Sequence, residues 1–440
     1  MDTSTSVAST EDSFIGGRTQ FDSPLSEIEA RVGRLARAVL LALGLAVGFA
    51  VVAGAGLGDA NARSASAVDG GRLGGDFPAF YAAGSIVRSG DGGSLYDPAR
   101  QEIEQVELGL DGYLAFAYPP HVAAAYAPLS LLDFRTAYLF HTILMAAAFV
   151  ASIEILSKPV PILRRWRWPI LAAGFTFYPL FTAVGGGQNA PLTLLLLAVI
   201  WRALDEDRGA LAGIAAGLLL YRPQYALPVI GLLLLARQRK AVVWAMVVGV
   251  VTWSATAVFL GADWVSAWFG EVVPFVERDA DVNASNSVSI LGFLQAAWGA
   301  DERPTVVVGA IGAAAVVVTL MWLWSQPERF SLANRMGALA IGVLLISPHT
   351  MFYDASLMIL AGTAILAGGH SSEEQRSVDG ALKTLALVWA AALLHIAADG
   401  FGATPLALIV FICFGAFVWR TLSMSNTRTP SIDSSPTGAT

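Results

Sequence analysis

Apolar residues along this chain are gathered into long blocks at about 36–57, 134–156, 169–184, 189–204, 209–221, 223–236, 241–261, 304–324, 331–347, 351–367, 381–398 and 402–422. A helix crosses a hydrocarbon core about 30 Å thick in roughly 17 to 25 residues, the length of most of these blocks. The pattern predicts an all-α polytopic membrane protein with about twelve transmembrane helices. Ten or eleven stay open, because 209–221 and 223–236 are short and only Arg222-Pro223 separates them.

Between the blocks, basic residues concentrate in every second connection: Arg164, Arg165 and Arg167, then Arg202 and Arg208, then Arg237, Arg239 and Lys240. Cytoplasmic loops are enriched in Lys and Arg, so the expected topology has both termini in the cytoplasm of a plasma or inner membrane protein. Residues 1–35 and 423–440, rich in Ser and Thr, read as disordered cytoplasmic tails around a single transmembrane domain over 36–422. Two long regions, about 58–133 and 262–303, then face outward with short turns at 185–188, 222–223, 347–350 and 399–401. Residues 79–89 and 98–108 read as short helices, the first lying along the membrane interface. Residues 263–275 read as another, with Trp264, Trp268 and Phe269 as membrane anchors.

Composition sharpens this picture. The chain is 55% hydrophobic and 14% charged, well below the roughly 25% charge of a soluble domain, so lipid is its solvent. A net charge of -7 argues against nucleic acid. The single cysteine, Cys413, lies in an apolar block and excludes an internal disulfide. No phosphate-binding loop, zinc-ligand spacing or dinucleotide fingerprint occurs, which turns the search toward the outward ends of the helices.

Asp76 stands there in Gly74-Gly75-Asp76-Phe77-Pro78-Ala79-Phe80-Tyr81, between glycines and aromatic rings. This setting suits a general base that reaches a sugar hydroxyl while rings cover the sugar's apolar face. It equally suits an N-cap for the helix beginning near Pro78. In Tyr118-Pro119-Pro120-His121 the prolines forbid helix and fix an extended return to the membrane, with Tyr118 as interface anchor or substrate contact. Gly185-Gly186-Gly187-Gln188-Asn189 reads as a tight turn, and Gln188 is the polar residue a turn does not require. Arg222 is the lone basic residue in an apolar stretch, placed either to bind a phosphate or to snorkel to headgroups. In Ser347-Pro348-His349 with Tyr353-Asp354, His349 suits donation to a phosphate, with Asp354 holding its tautomer. Asn286 and Ser287 suit either substrate contact or capping of the helix that follows.

Asp76-Phe77 with Tyr81-Ala82-Ala83-Gly84, Leu95-Tyr96-Asp97, Tyr118-Pro119-Pro120 before Pro128-Leu129, Gly187-Gln188, Arg222-Pro223, and Ser347-Pro348-His349 before Tyr353-Asp354 follow one another across about residues 70 to 360. This ordered set resembles the polyprenyl-phosphate-mannose-dependent mannosyltransferases of glycosyltransferase family 87, which have the GT-C superfold. The resemblance implies an inverting, metal-independent transfer of a sugar, usually mannose, from a polyprenyl phosphate to a lipid or glycan acceptor on the outer face, without a cofactor. It implies that Asp76 is the catalytic base and that His349 contacts the phosphate or the substrate, and Arg222, by its own chemistry, is expected to join His349 at the donor phosphate. Tyr81, Tyr118, Gln188, Asn286, Tyr353 and Asp354 are the expected substrate contacts. Arg222 stands where the resemblance leads one to expect Lys, and the spacing from Gln188 to the next Asn departs from the pattern. A flippase or transporter of lipid-linked saccharides, or an envelope polysaccharide polymerase, is the alternative class.

Overall fold

A computed structural model describes residues 75–108, 114–299, 303–367, 388–392 and 405–426, with a few single positions between 32 and 39. The expected N-terminal tail, the apolar block 36–57, residues 58–74, most of the block 381–398, the turn 399–401 and the tail beyond 426 lie outside the described residues.

Every described apolar block is helical, and no β-strand occurs among the described residues. The region before residue 134 contributes α1 (Phe77–Arg88), α2 (Pro98–Glu107) and α3 (Pro120–Tyr126). Next come α4 (Phe134–Leu156), the short α5 (Pro161–Arg165), α6 (Arg167–Phe175), α7 (Tyr178–Gly185), α8 (Ala190–Asp205), α9 (Gly209–Leu218), α10 (Pro223–Leu235) and α11 (Arg239–Leu260). The region 262–303 holds α12 (Trp264–Val282) and α13 (Ile290–Trp298). The chain then runs through α14 (Arg303–Ser325), α15 (Leu332–Ile346), α16 (Met358–Leu366) and α17 (Pro405–Asn426), which extends past the expected start of the C-terminal tail.

Four of these helices are long and apolar enough to cross a membrane: Phe134–Leu156, Arg239–Val258, Arg303–Ser325 and Leu406–Ser425. A fifth span is made if α6 and α7, bent by 69° at their junction, are taken together. The twelve spans expected from the blocks are not reached among the described residues. The apolar runs at 209–221, 223–236, 331–347 and 351–367 form helices too short to meet the span length on their own, because Arg222 and the turn after Ile346 break them. On α11 and α14 the outward residues are apolar, with Val258 81% and Ile311 65% exposed, a face that only lipid solvates well. The molecule is a polytopic helical membrane protein.

Local chemistry explains several helix starts. Asp133 caps α4 by accepting from the Thr136 N–H at 3.1 Å, and Asp97 caps α2 by accepting from Ala99 at 3.0 Å. Pro119 is extended as expected, with ψ 149°, but Pro120 begins α3 instead of forbidding it. A proline in the first helical turn lacks only an N–H that has no intrahelical partner there. The expected capping of α13 by Asn286 or Ser287 falls instead to Ser289, which accepts from Gly292 at 3.0 Å. Packing inside the bundle is tightest where side chains are smallest. A Cβ on Gly213 would stand 2.1 Å from the Ala241 carbonyl oxygen, so α9 and α11 touch nearly backbone to backbone.

The region before α4 is held by two fully buried glutamines one turn apart on α2. Gln101 donates to the Leu95 carbonyl at 2.7 Å and accepts from the Phe116 N–H at 2.8 Å. Gln105 closes a two-way bond with the Leu114 backbone. Together they fix the strand-like stretch that leads into Tyr118. Gln101→Leu leaves buried backbone groups unpaired at about 1–3 kcal/mol each. The expected result is a thermal midpoint in detergent lowered by several degrees; an unchanged midpoint would show that the latch holds nothing.

Candidate active site

The site begins with Gly75, whose φ of +46° is open to glycine and strained for other residues. A Cβ there would lie 2.2 Å from the Gly186 carbonyl oxygen. That same carbonyl accepts from the Asp76 N–H at 3.1 Å, so the start of α1 is pinned to the Gly185–Asn189 turn more than a hundred residues away. Asp76 occupies the N-cap position of α1, yet its side chain makes no capping bond, and its backbone is already helical at φ -84°, ψ -6°. The residue is half-buried.

Aromatic rings fix the first turn of α1. Phe80 stacks on Tyr126 with centroids 4.9 Å apart and meets Tyr118 edge-on at 4.9 Å. Tyr81, expected at the substrate, is buried and donates its hydroxyl to the Leu132 carbonyl at 2.7 Å, so it anchors the connection to α4.

Arg222 sits in the break between α9 and α10, and the fold encloses it. It forms a buried ion pair with Asp354, both side chains 3% exposed, and donates Nη2–H to the Tyr118 hydroxyl at 3.1 Å. Its guanidinium also lies over the rings of Tyr118 and Tyr225, 5.8 and 5.6 Å from their centroids. Asp354 accepts in addition from the Met351 N–H at 3.2 Å. The expectation that Asp354 orients His349 is therefore corrected: the carboxylate faces Arg222, a residue 132 positions away that no local pattern connects to it. Burial raises the pKa of the Tyr118 phenol, opposed by the Arg222 charge and reinforced by that of Asp76. Tyr118, Arg222 and Asp354 thus form one cluster, with Tyr353 next to Asp354 in the chain and Asp76 one helical turn before Phe80, whose ring meets Tyr118.

His349 lies on the same turn as Tyr353, half-buried, with its ring edge-on to Phe275 of α12 at 5.2 Å. Beside it Val288 donates to the Thr350 carbonyl at 2.9 Å, and Ser287 and Met351 form an antiparallel bridge. Asn286 is half-buried one residue before that bridge. Trp268, expected to anchor in lipid, donates its indole N–H to the Ala117 carbonyl at 2.9 Å, which ties α12 to the segment that carries Tyr118. His121 is held neutral, its pKa lowered to about 4 by burial.

Gln188 is 3% exposed and its Oε1 is buried without a partner. Next to it is a group that sequence reasoning passed over. The Asn189 side chain accepts from the Tyr126 hydroxyl at 2.8 Å, and its backbone carbonyl accepts from Tyr221 at 2.8 Å. His141, inside α4, contacts the Tyr126 hydroxyl at 3.2 Å. A histidine within an apolar span was the available signal, because such groups are costly unless used. Among the described residues no three His, Cys, Asp or Glu side chains converge to hold a metal ion.

A polytopic helical bundle that encloses the buried Arg222–Asp354 pair and the Tyr118 hydroxyl defines the class as a membrane protein. The model of glycosyltransferase family 87 matches residues 116–348, more than half of the chain, and this protein belongs to that family. The matched stretch contains Tyr118, Gln188, Arg222 and Asn286, and stops one residue before His349. The chain is also similar to the polyprenol-phosphate-mannose-dependent alpha-(1-2)-phosphatidylinositol pentamannoside mannosyltransferase of Mycolicibacterium smegmatis (strain ATCC 700084 / mc(2)155). The two are 28% identical over 247 residues, which cover 55% of this chain and 57% of that relative. No solved structure matches the chain.

Proposed function

We propose that this protein is a membrane glycosyltransferase that moves a sugar, mannose in the simplest case, from a polyprenyl phosphate to a hydroxyl of a lipid or glycan acceptor. The observation that carries this reading is the setting of Asp76: a half-buried residue whose side chain does not cap its helix, whose backbone is pinned to the distant Gly185–Asn189 turn, and which stands one helical turn before Phe80, whose ring meets Tyr118. The name of the mannosyltransferase relative supports the donor class. In this reading the fold is GT-C-like with about twelve spans, both termini are cytoplasmic, and the site opens on the outer face of the plasma or inner membrane.

The acceptor hydroxyl gives its proton to Asp76 as its oxygen attacks the anomeric carbon from the side opposite the phosphate. The bond from that carbon to the phosphate oxygen breaks, its electron pair leaves with polyprenyl phosphate, and the configuration inverts. Negative charge growing on the leaving phosphate needs a fixed donor near it. His349, half-exposed on the turn that also carries Asp354, is the group available for that contact, and Arg222 supplies a cation behind it. Gln188, Asn286 and Tyr353 line the approach for sugar and acceptor hydroxyls. The residues named here act without a metal.

Transfer of radiolabelled mannose from synthetic polyprenyl phosphate mannose by the purified protein tests this. A labelled product is expected with an envelope lipid acceptor; its absence across donors and acceptors, or label carried across vesicles without transfer, sinks the reading in favour of a flippase. Gly75→Ala gives a second check. Displacing the Asp76 backbone from Gly186 is expected to slow transfer about 10- to 100-fold, since an ångström of misplacement suffices for such losses. Equal rates for this variant and the parent would remove the argument from Gly75.

A further inference from the structure

The ion pair of Arg222 and Asp354 lies behind the candidate site. Arg222 is 3% exposed, with a carboxylate already bound and aromatic rings of Tyr118 and Tyr225 against it. A phosphate would have to displace Asp354 or part those rings to reach the guanidinium. What Arg222 does reach is the Tyr118 hydroxyl, to which it donates at 3.1 Å. A phenol has one proton and two acceptor lone pairs. With Arg222 on a lone pair, the proton is directed to the other side.

The Tyr118 ring is held for this purpose. Phe80 meets it edge-on at 4.9 Å and Phe116 packs on it at 5.9 Å, while the segment that carries it is latched by Gln101 and Gln105. Asp76 stands one helical turn before Phe80 on α1, so the Phe80 ring contact sets the start of α1 beside Tyr118, which is itself half-buried. We infer that Arg222 and Asp354 are positioning residues, a neutral buried pair that turns the Tyr118 O–H toward the space beside Asp76, where it donates to a sugar or acceptor hydroxyl. The inference rests on the transferase reading above and changes one part of it: Arg222 works through Tyr118, and direct phosphate contact is left to His349.

The test replaces the pair by apolar residues of similar size, Arg222→Met with Asp354→Leu, alone and combined with Tyr118→Phe, in the full-length protein. In the pair variant kcat is expected to fall, while the donor KM and the affinity for a sugar-free short-chain polyprenyl phosphate stay within about threefold of the parent. Adding Tyr118→Phe is expected to cost less than about threefold more, because residues acting through one another are not additive. A loss of about tenfold or more in polyprenyl phosphate affinity, or losses that multiply when the changes are combined, overturns the proposal. Should the pair variant not fold, Arg222→Lys keeps the charge beside Asp354 but serves one partner at a time, and a lowered kcat with unchanged donor KM is expected. A raised donor KM with unchanged kcat in that variant overturns the proposal. No transfer by the parent removes the transferase reading and the inference with it, and undiminished transfer by Asp76→Asn removes Asp76 as the base, whereas the outcomes above remove the inference alone.

Discussion

Asp76→Asn is expected to leave the protein folded and to cut sugar transfer by about 10²- to 10⁴-fold, the range associated with losing a general base. The side chain caps nothing, so α1 does not need its charge; what pins the helix start is the Asp76 backbone N–H on Gly186, which asparagine retains. Asparagine has nearly the same shape but cannot accept the acceptor's proton. The two effects separate cleanly: the melting curve in detergent should overlay that of the parent while initial rates collapse. Parent-like rates would remove Asp76 from the chemistry, and a large fall in midpoint would recast it as a structural residue.

The second large effect is on stability. Removing one member of the buried pair, by Arg222→Ala or Asp354→Ala, strands the other charge where water does not reach it, at a cost of about 3–5 kcal/mol. Replacing both members together is expected to be far milder, because the desolvation of two charges is relieved at the same time. Thermal midpoints of the two single variants and the double variant measure this directly. Singles as stable as the parent would mean that the pair is solvated or unformed in the working protein.

Much of this protein can be read from local pattern because lipid imposes it. Transfer of apolar side chains out of water is roughly additive along a segment, so blocks such as 134–156 and 304–324 announce α4 and α14 almost to the residue. Asp97 and Asp133 likewise mark helix starts within a few residues of themselves. Failures came where a short element's fate depends on its neighbours. Blocks 209–221 and 223–236 carry the apolar signal of spans, yet α9 and α10 are short helices around a buried arginine. Trp268 has the look of a lipid anchor, and its indole N–H is taken by Ala117, 151 residues away.

The candidate site divides along the same line. Sequence alone determined that this is a helical membrane protein and that Asp76, Arg222 and His349 stand at helix ends where an ionisable group needs a reason to be. Tertiary structure decided who meets whom: Asp76 with the Gly186 turn, Arg222 with Asp354 and Tyr118, Asn189 with Tyr126. Burial and capping depend on a window of a few residues, whereas these pairs depend on how helices remote in the chain pack, and the backbone contact at Gly75 shows how small the tolerance is. A polar residue therefore shows that it needs a partner, and only the packed bundle names it.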